Sequence, residues 1–411
     1  MSTSSVHAWL RRAMAVVAAA SLAGCDALPT LWPAKDGYPY TTTDPISDFG
    51  LLSQHIYVTI TVVVCVVFVL VTILLAVTLI KFADRGTPGN PEQVHGNIAM
   101  EIGWTIAPIG IVLFLIVPTI RTIFLQQDAA PIGAKDENGQ VLMGEDGKPL
   151  RPAVEIKVIG RRWWWQFEYV NEGIATSNQF AIPDDRPVSL FLTSDTVIHS
   201  FWAPRIGGKR DAIPGRVNRI WFNLTEDIAQ GQPDHIRGEC AEYCGEAHSL
   251  MRFEILGLDG ADFDKWVSEY KGAPTFADAS IKQKGEEAFS AAGCTGCHSI
   301  SGFAGAKGTQ GPNLTFLGDR RFLAAGIKDM YPNGRADQAT ARAVLTQWIT
   351  NPNSIKPGTT KSANASRALD GMNIPADANG DGILSPEEFA PEKVDAIVSY
   401  LLSQTSSFPL Q

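Results

Sequence analysis

The stretch CAEYCGEAHSLM, residues 240–251, brings four side chains that can bind a metal into twelve consecutive positions. Cys240 and Cys244 offer thiols, His248 offers an imidazole and Met251 offers a thioether. Soft sulfur ligands combined with imidazole favour copper among the metals that are common in proteins. The segment therefore predicts a metal site, and its donor types favour copper.

A second imidazole, His199, lies upstream in the run VIHSFW, residues 197–202, which is predicted to be a β-strand. Zinc could use the two cysteines and the two histidines, but it would gain nothing from the thioether. A disulfide between the cysteines would not explain why two histidines and a methionine accompany them. A thioredoxin-like copper-delivery protein also pairs C-x-x-x-C with a distant histidine, but it would lack the nearby histidine and a membrane anchor.

The bulk composition fits a protein that lies partly in a membrane. Of the 411 residues 45% are hydrophobic and 19% are charged, which suits a chain divided between lipid and water. The net charge of −9 gives no electrostatic support for nucleic-acid binding. The length is enough for two or three domains.

The N-terminus is typical of an export signal, with Arg11 and Arg12 before a short apolar stretch. The sequence LAGC, residues 22–25, then resembles a bacterial lipobox. This predicts a lipoprotein-type signal peptide over residues 1–24, with Cys25 as the lipidated first residue. The alternative is an ordinary signal peptide that contains a cysteine by chance.

Two apolar runs within residues 25–125 are long enough to cross a bilayer. Ile56–Ile80 has no charge, and Ile98–Ile120 has only Glu101. They predict antiparallel membrane helices over about 54–81 and 98–122, with the rest of the chain on the outer side. An ionisable residue in such a segment is a functional candidate, although Glu101 could also mark a hydrated helix start.

Short β-branched and aromatic runs separated by turn residues occupy residues 126–270, which predicts a small sandwich or barrel. The runs are Val154–Val158, Trp163–Tyr169, Val188–Thr193, Val197–Trp202 and Arg219–Leu224.

Residues 277–411 have helical patterns and predict a small all-α domain. It contains the motif CTGCH, in which Cys294 and Cys297 could attach a c-type haem and His298 could bind its iron. A redox C-x-x-C or a disulfide is the alternative, but no βαβ pattern surrounds the motif. The second axial ligand is predicted to be Met372, which precedes the last helix as in class I cytochromes c, with Met330 as the runner-up.

The loop GPNL, residues 311–314, also matches class I cytochromes c, in which the proline carbonyl orients the haem-binding histidine. Downstream, DANGDGILSPEE, residues 377–388, follows the spacing of an EF-hand calcium loop, although it could be a solvated acidic turn. The predicted calcium ligands are Asp377, Asn379, Asp381, the Ile383 carbonyl, Ser385 and Glu388.

Three motifs together resemble the cytochrome c oxidase subunit II family over about residues 50–270. They are HSFW at 199–202, DAIPGR at 211–216 and the twelve-residue segment at 240–251. The resemblance implies a cupredoxin-type β-barrel that holds CuA, a dinuclear copper centre. The whole chain is then multidomain, with a two-helix transmembrane hairpin, a cupredoxin-like CuA domain at 126–270 and an all-α class I cytochrome c domain at 277–411.

The resemblance also implies a role for each site residue. Cys240 and Cys244 would bridge both copper ions, while His199 and His248 would be terminal ligands. As in the family, Met251 and the Glu242 carbonyl would complete the coordination of the two copper ions.

Further functions follow from the same resemblance. The Glu242 carboxylate would help bind magnesium at the boundary with subunit I, and Glu101 would lie at the mouth of a proton pathway. Trp163 would receive electrons, although Arg161 and Arg162 replace the more usual His-Gln pair before it.

The sequence therefore predicts an electron-relay subunit in a bacterial cytoplasmic membrane, with its copper and haem domains on the periplasmic face. Its expected partners are subunit I, with haem and CuB, subunit III, and cytochrome c or another donor. Oxygen reduction and proton pumping would take place in the complex. The alternatives are the electron-input subunit of a CuA-containing nitric oxide reductase, a copper-free quinol oxidase subunit and a copper-delivery protein.

Overall fold

The computed structural model describes residues 40–83, 89, 93, 95–127, 130–136, 139–145, 147–225, 228–359, 385 and 388–406. Several predicted site residues lie outside the described residues: Cys25, Met372, Asp377, Asn379, Asp381 and Ile383.

Two long apolar helices, α1 (Asp48–Lys81) and α2 (Ile98–Gln127), expose most of their hydrophobic side chains. At 1.5 Å per residue they are roughly 51 and 45 Å long, which exceeds the ~30 Å hydrocarbon layer of a bilayer. Helix α1 begins before the predicted residue 54, and α2 continues past the predicted residue 122. Hydropathy marks only the part of a helix in lipid, so the sequence underestimated both lengths.

The first turn of α1 is fixed to the domain outside the membrane. The Ser47 hydroxyl caps the helix by accepting a hydrogen bond from the Gly50 amide at 3.0 Å. The Asp48 carboxylate accepts hydrogen bonds from the backbone and side-chain nitrogens of Asn223, at 3.1 and 2.7 Å. Because these contacts lie in a helical extension of the membrane span, the domain is held close to the membrane.

Ten strands form two five-stranded sheets around one hydrophobic core. The strand order is β3-β2-β1-β5-β8 in the first sheet and β4-β10-β9-β6-β7 in the second. The first sheet contains β1 (Val154–Arg161), β2 (Trp164–Tyr169), β3 (Ala175–Ser177), β5 (Val188–Ser194) and β8 (Asn218–Phe222). The second contains β4 (Gln179–Pro183), β6 (His199–Trp202), β7 (Arg210–Ala212), β9 (Asp234–Cys240) and β10 (Arg252–Leu258).

The sandwich prediction is confirmed, and the core between the sheets is aromatic. Trp165 is fully buried and meets Phe201 and Phe253 in edge-to-face contacts, at centroid distances of 5.8 and 5.7 Å. The rings of Phe201 and Phe253 stack at 4.4 Å. Such rings supply much of the apolar area that a sandwich core buries.

The sequence missed several elements of this domain. Strand β9 contains Asp234, His235 and Arg237, and its polar composition hides a strand that pairs on both sides. Helix α3 (Gly260–Tyr270) was also missed, although Asp259 caps it and accepts a hydrogen bond from the Ala261 amide at 2.9 Å. The two elements were missed because their buried positions depend on tertiary partners.

The C-terminal region has a second hydrophobic core. Its main helices are α4 (Ala279–Ala291), α5 (Gln338–Thr350) and α6 (Pro391–Leu402). Gly285 lets α4 approach α6, since a Cβ there would lie 2.1 Å from the Cβ of Tyr400. A two-residue antiparallel ladder of β11 (Phe322–Leu323) and β12 (Lys328–Asp329) adds to the expected helices.

Replacing Arg205 should weaken the attachment of the segment before α1 to the sandwich. The Arg205 guanidinium is almost fully buried and lies 3.0 Å from the Asp234 carboxylate and 3.2 Å from that of Asp44. Removing one partner of a buried ion pair leaves an uncompensated charge, so Arg205→Met should lower the free energy of unfolding by roughly 3 kcal/mol. Urea unfolding of the full chain measures this loss. The exposed Arg216→Met is the control, and equal stability of the two variants contradicts the prediction.

Candidate metal centre

The neighbouring strands β6 and β9 bring together two halves of the predicted metal site. His199 begins β6 and Cys240 ends β9, and these strands pair antiparallel with Phe201 opposite Cys240. The Cys240 amide donates to the Met251 carbonyl at 2.9 Å, which closes the loop between β9 and β10. A 3-10 turn over His248–Leu250 directs the remaining donors inwards.

All six predicted ligand atoms lie close together where this loop meets the start of β6. The two cysteine sulfurs are 3.8 Å apart. The Cys240 sulfur lies 3.7 Å from Nδ1 of His199 and 3.3 Å from the Glu242 carbonyl oxygen. The Cys244 sulfur lies 3.6 Å from Nδ1 of His248 and 3.9 Å from the Met251 sulfur.

The site is enclosed by protein. His199 and Met251 are fully buried, and Cys240 and Cys244 are 6% and 4% exposed. Nε2 of His199 is buried and has no hydrogen-bond partner among the described residues. The two sulfurs, Met251 and His199 are therefore shielded from water, while His248 is half-buried.

The separation of the two sulfurs fits two thiolates that bind the same metal ion. Both cysteines are free, and a disulfide would require a separation of about 2.05 Å. Two thiolates that each lie about 2.3 Å from a shared ion, at a tetrahedral angle, are roughly 3.8 Å apart. The observed separation of 3.8 Å matches this value. Both sulfurs are therefore at the right separation to bind one metal ion together.

The hydrogen bond between the two cysteine side chains shifts their pKa values in opposite directions. The hydrogen bond with Cys244 lowers the pKa of the Cys240 thiol to about 3, with further stabilisation from His199. The same hydrogen bond and burial raise the pKa of Cys244. Metal binding at both sulfurs therefore requires the Cys244 thiol to lose its proton to solvent.

Two glycines that the sequence analysis did not single out shape the site. A Cβ on Gly160 would lie 2.7 Å from Cδ2 of His199, so only glycine leaves room for the imidazole. Gly245, with φ of +120°, lies beneath Trp163, whose indole nitrogen donates to the Cys244 carbonyl at 3.1 Å. Gly160 could have been suspected from the sequence, since glycine inside a strand often marks a close approach.

The second predicted site lies in the C-terminal region, where Cys294 and Cys297 flank a tight turn before His298. Nδ1 of His298 is 2.8 Å from the Pro312 carbonyl oxygen, the orienting contact that the GPNL loop predicts. Burial lowers the pKa of His298 and raises that of the Cys294 thiol to about 11. The structure thus places the two thiols at the ends of one turn and the oriented imidazole directly after it.

Arg320 was missed by sequence analysis but holds the loop that orients His298. Its guanidinium is 7% exposed and donates to the Asn313 carbonyl at 2.6 Å and to that of Thr315 at 3.2 Å. Burial lowers the pKa of Arg320 to about 10. Met330, the alternative axial ligand, is fully buried in the second core.

The other predicted residues are described only in part. Glu101 lies in the first turn of α2, and its carboxylate accepts a hydrogen bond from the Asn97 amide at 3.3 Å. Within the acidic loop, Ser385 donates through its amide and hydroxyl to the Glu388 carboxylate, at 3.0 and 2.9 Å. The Glu242 side chain is exposed beside the metal loop.

Two family matches cover most of the membrane helices and most strands of the sandwich. Residues 47–122 match the transmembrane domain of cytochrome c oxidase subunit II, and residues 172–257 match its periplasmic domain. Cytochrome c oxidase subunit 2 of Alkalihalophilus pseudofirmus is 33% identical over 300 residues, which cover 72% of this chain and 77% of that protein. The chain belongs to the cytochrome c oxidase subunit II family.

Further subunits of terminal oxidases are similar to this chain. The Bacillus subtilis cytochrome c oxidase subunit 2 is 30% identical over 343 residues, which cover 82% of this chain and 87% of that protein. Quinol oxidase subunit 2 of Bacillus cereus is 28% identical over 226 residues, or 54% of this chain and 68% of the relative. The solved periplasmic domain of subunit II from Bradyrhizobium japonicum is 28% identical and covers 29% of this chain and 93% of that one, with a TM-score of 0.27.

The protein is therefore a membrane subunit of a terminal oxidase, with a periplasmic domain and subunit I as its partner. The two-helix prediction is confirmed.

Adding a methyl group beside His199 should disturb the metal site. Gly160→Ala must displace the imidazole or strand β1, which should lower the free energy of unfolding by roughly 1–3 kcal/mol. The copper content of the purified chain should fall, as measured by elemental analysis alongside urea unfolding. Gly208→Ala is the control, since a Cβ there meets nothing within 4 Å. Full copper loading of Gly160→Ala would show that the close approach has no consequence.

Proposed function

We propose that this subunit relays electrons from a C-terminal haem c, through a dinuclear copper centre, to haem in subunit I. The observation that supports this proposal most directly is the convergence of two imidazoles, one thioether and one carbonyl around two free sulfurs 3.8 Å apart. The acceptor, subunit I, would reduce oxygen to water and couple this reaction to proton pumping.

The copper proposal assigns a position to each donor. Cys240 and Cys244 would bridge, His199 and His248 would be terminal ligands, and Met251 would complete a shell with the Glu242 carbonyl. Dinuclear copper bound here would supply reversible one-electron transfer. The buried loop would keep the donors in place in both oxidation states, because packed side chains leave little freedom to rearrange.

The haem proposal rests on the motif at residues 294–298 and its surroundings. Cys294 and Cys297 would form the thioether links, and His298 would bind iron with its orientation fixed by the Pro312 carbonyl at 2.8 Å. Met372 is the proposed second axial ligand. The alignment with the Bacillus subtilis relative covers 82% of this chain and therefore extends into the region that contains this motif.

Trp163 is the proposed point at which electrons reach the copper centre. Its indole nitrogen donates to the carbonyl of the bridging ligand Cys244 at 3.1 Å, so the ring is in direct contact with the metal loop. At 8% exposure, Trp163 is covered by protein, which favours an internal donor over one that diffuses to it.

Several further functions are proposed from family membership. The exposed Glu242 carboxylate would share a magnesium ion with subunit I, and Glu101 would deliver protons to that subunit. Cys25 would carry a lipid, and subunit III and a respiratory donor such as cytochrome c would complete the assembly. The relation to quinol oxidase subunits makes a copper-free homologue the main alternative, which the intact donor set disfavours.

Metal and haem analysis of the full chain tests the relay. With copper and haem maturation, we expect two copper ions for each covalent haem, and paramagnetic resonance of one electron shared by both coppers. Cys244→Ser should lose the shared-electron signal, and Cys297→Ala should lose a thioether link. Cys65→Ser, which changes an exposed cysteine of α1, is the control and should retain both. Zinc or a single copper in the wild-type chain contradicts the proposal.

We also propose structural calcium in the loop at residues 377–388, where Glu388 occupies the twelfth position of the EF-hand pattern. Calcium at 100 times its dissociation constant should stabilise the chain by about 2.7 kcal/mol. The unfolding midpoint should rise with calcium in the wild type and in Glu392→Gln, but not in Glu388→Gln. If calcium shifts none of the three midpoints, the loop is only an acidic turn.

A further inference from the structure

The C-terminal region is docked on the copper-binding domain through several buried hydrogen bonds. The Arg237 guanidinium donates to the Gly326 carbonyl at 2.7 Å, and the Arg252 amide donates to the Ala325 carbonyl at 2.9 Å. Arg237 also lies over the ring of Phe322 at 3.7 Å. The contacts join two separate cores and give the C-terminal region a defined position.

A short segment after α5, residues 355–359, reaches from this docked region to the metal loop. Lys356 is 4% exposed, and its ammonium group donates to the Trp163 carbonyl at 2.6 Å. Two residues later, a Cβ on Gly358 would lie 2.9 Å from Oε2 of Glu246 and 3.3 Å from its Cβ. The segment therefore packs closely against both Trp163 and the loop that contains the predicted copper ligands.

A buried lysine is costly, because a charge loses its hydration when it leaves water. Burial lowers the pKa of Lys356 to about 7, and the electrostatic interaction with the cysteine pair at Cys244 opposes this shift. Lys356 has no carboxylate at ion-pair distance within the part of the chain that the structure describes. The groups that offset the lost hydration of the Lys356 charge are thus the carbonyl of Trp163 and the negative charge of the cysteine pair.

A chain of contacts connects this lysine to the metal site. Lys356 binds the backbone oxygen of Trp163, and the indole nitrogen of Trp163 binds the backbone oxygen of Cys244 at 3.1 Å. Both ends of Trp163 are therefore fixed, one by the C-terminal region and the other by the metal loop. Displacing Lys356 should loosen the position of the tryptophan.

We propose that Lys356 is a positioning residue of the copper centre, which holds the C-terminal region on the metal loop through Trp163 and favours the reduced centre through its charge. The inference rests on the proposed copper centre. A cation near the thiolates attracts an added electron, because the low dielectric constant of the interior strengthens the interaction. The C-terminal region thus contributes to the copper site as well as carrying the proposed haem.

Two variants of the full chain, purified with copper and haem, separate the hydrogen bond from the charge. Lys356→Gln retains a donor but removes the charge, whereas Lys356→Met removes both at similar length. Lys284→Met removes an exposed charge from α4 of the same region and is the matched control. The readouts are the reduction potential of the copper centre and hydrogen exchange of segments 160–166 and 243–248.

We expect the equilibrium constant for reduction to fall tenfold or more in both Lys356 variants, which is about 59 mV for one electron. Exchange in the two segments should rise at least tenfold in Lys356→Met and stay near the wild-type rate in Lys356→Gln. The control should change neither quantity. If Lys356→Met does not accumulate, the potential of Lys356→Gln still decides the effect of the charge.

An unchanged potential in the Lys356 variants overturns the electrostatic part of the inference, and unchanged exchange in Lys356→Met overturns the docking part. Failure of the proposed function looks different, since the wild-type chain itself would then lack two copper ions or covalent haem. In that case hydrogen exchange in the metal-free chain still shows whether Lys356 holds the two regions together.

Discussion

Two sulfurs and two imidazoles must face one another inside an apolar sandwich, and this requirement governs much of the structure. The pairing of β6 with β9 places His199 next to Cys240, and the hydrogen bond from Cys240 to Met251 closes the loop that supplies the other donors. Groups that would repel each other or seek water are held together there because the surrounding strands fix their backbones. Glycine at position 160 is a consequence, since any Cβ would collide with the imidazole.

Buried cations occur where separate parts of the chain meet. Arg205 joins the entrance of α1 to the sandwich, Arg237 joins the sandwich to the C-terminal region, and Lys356 joins that region to the metal loop. Each cation is bound by carboxylates or carbonyls, which offsets part of its desolvation cost. An apolar contact could slide, whereas these directed contacts specify one arrangement of membrane helices, sandwich and C-terminal region.

Close packing at these junctions would keep the redox centres of the proposed relay at fixed positions. Electron transfer requires fixed distances between redox centres, and a docked C-terminal region offers such a distance where a freely moving one does not. The enclosed donor set would also suit the proposed relay, since a relay needs no substrate at its metal. In that proposal, subunit I would receive the electrons and carry out the oxygen chemistry.

The sequence by itself determined the donor set, the two membrane helices, the sandwich class and the C-x-x-C-H motif. These are local properties: spacing within twelve residues, apolar length and alternation can all be seen in a linear chain. Helix α3 and strand β9 were not predicted from the sequence because their buried faces depend on distant partners.

Only the tertiary structure decided which residues support the site. Gly160 lies beside His199 because β1 and β6 approach in the sandwich, and Lys356 meets Trp163 across 193 positions of sequence. Neither residue has a local signal that identifies its partner. Contacts of this kind form only after strand pairing and docking have fixed the positions of both backbones, so they cannot be predicted from spacing alone.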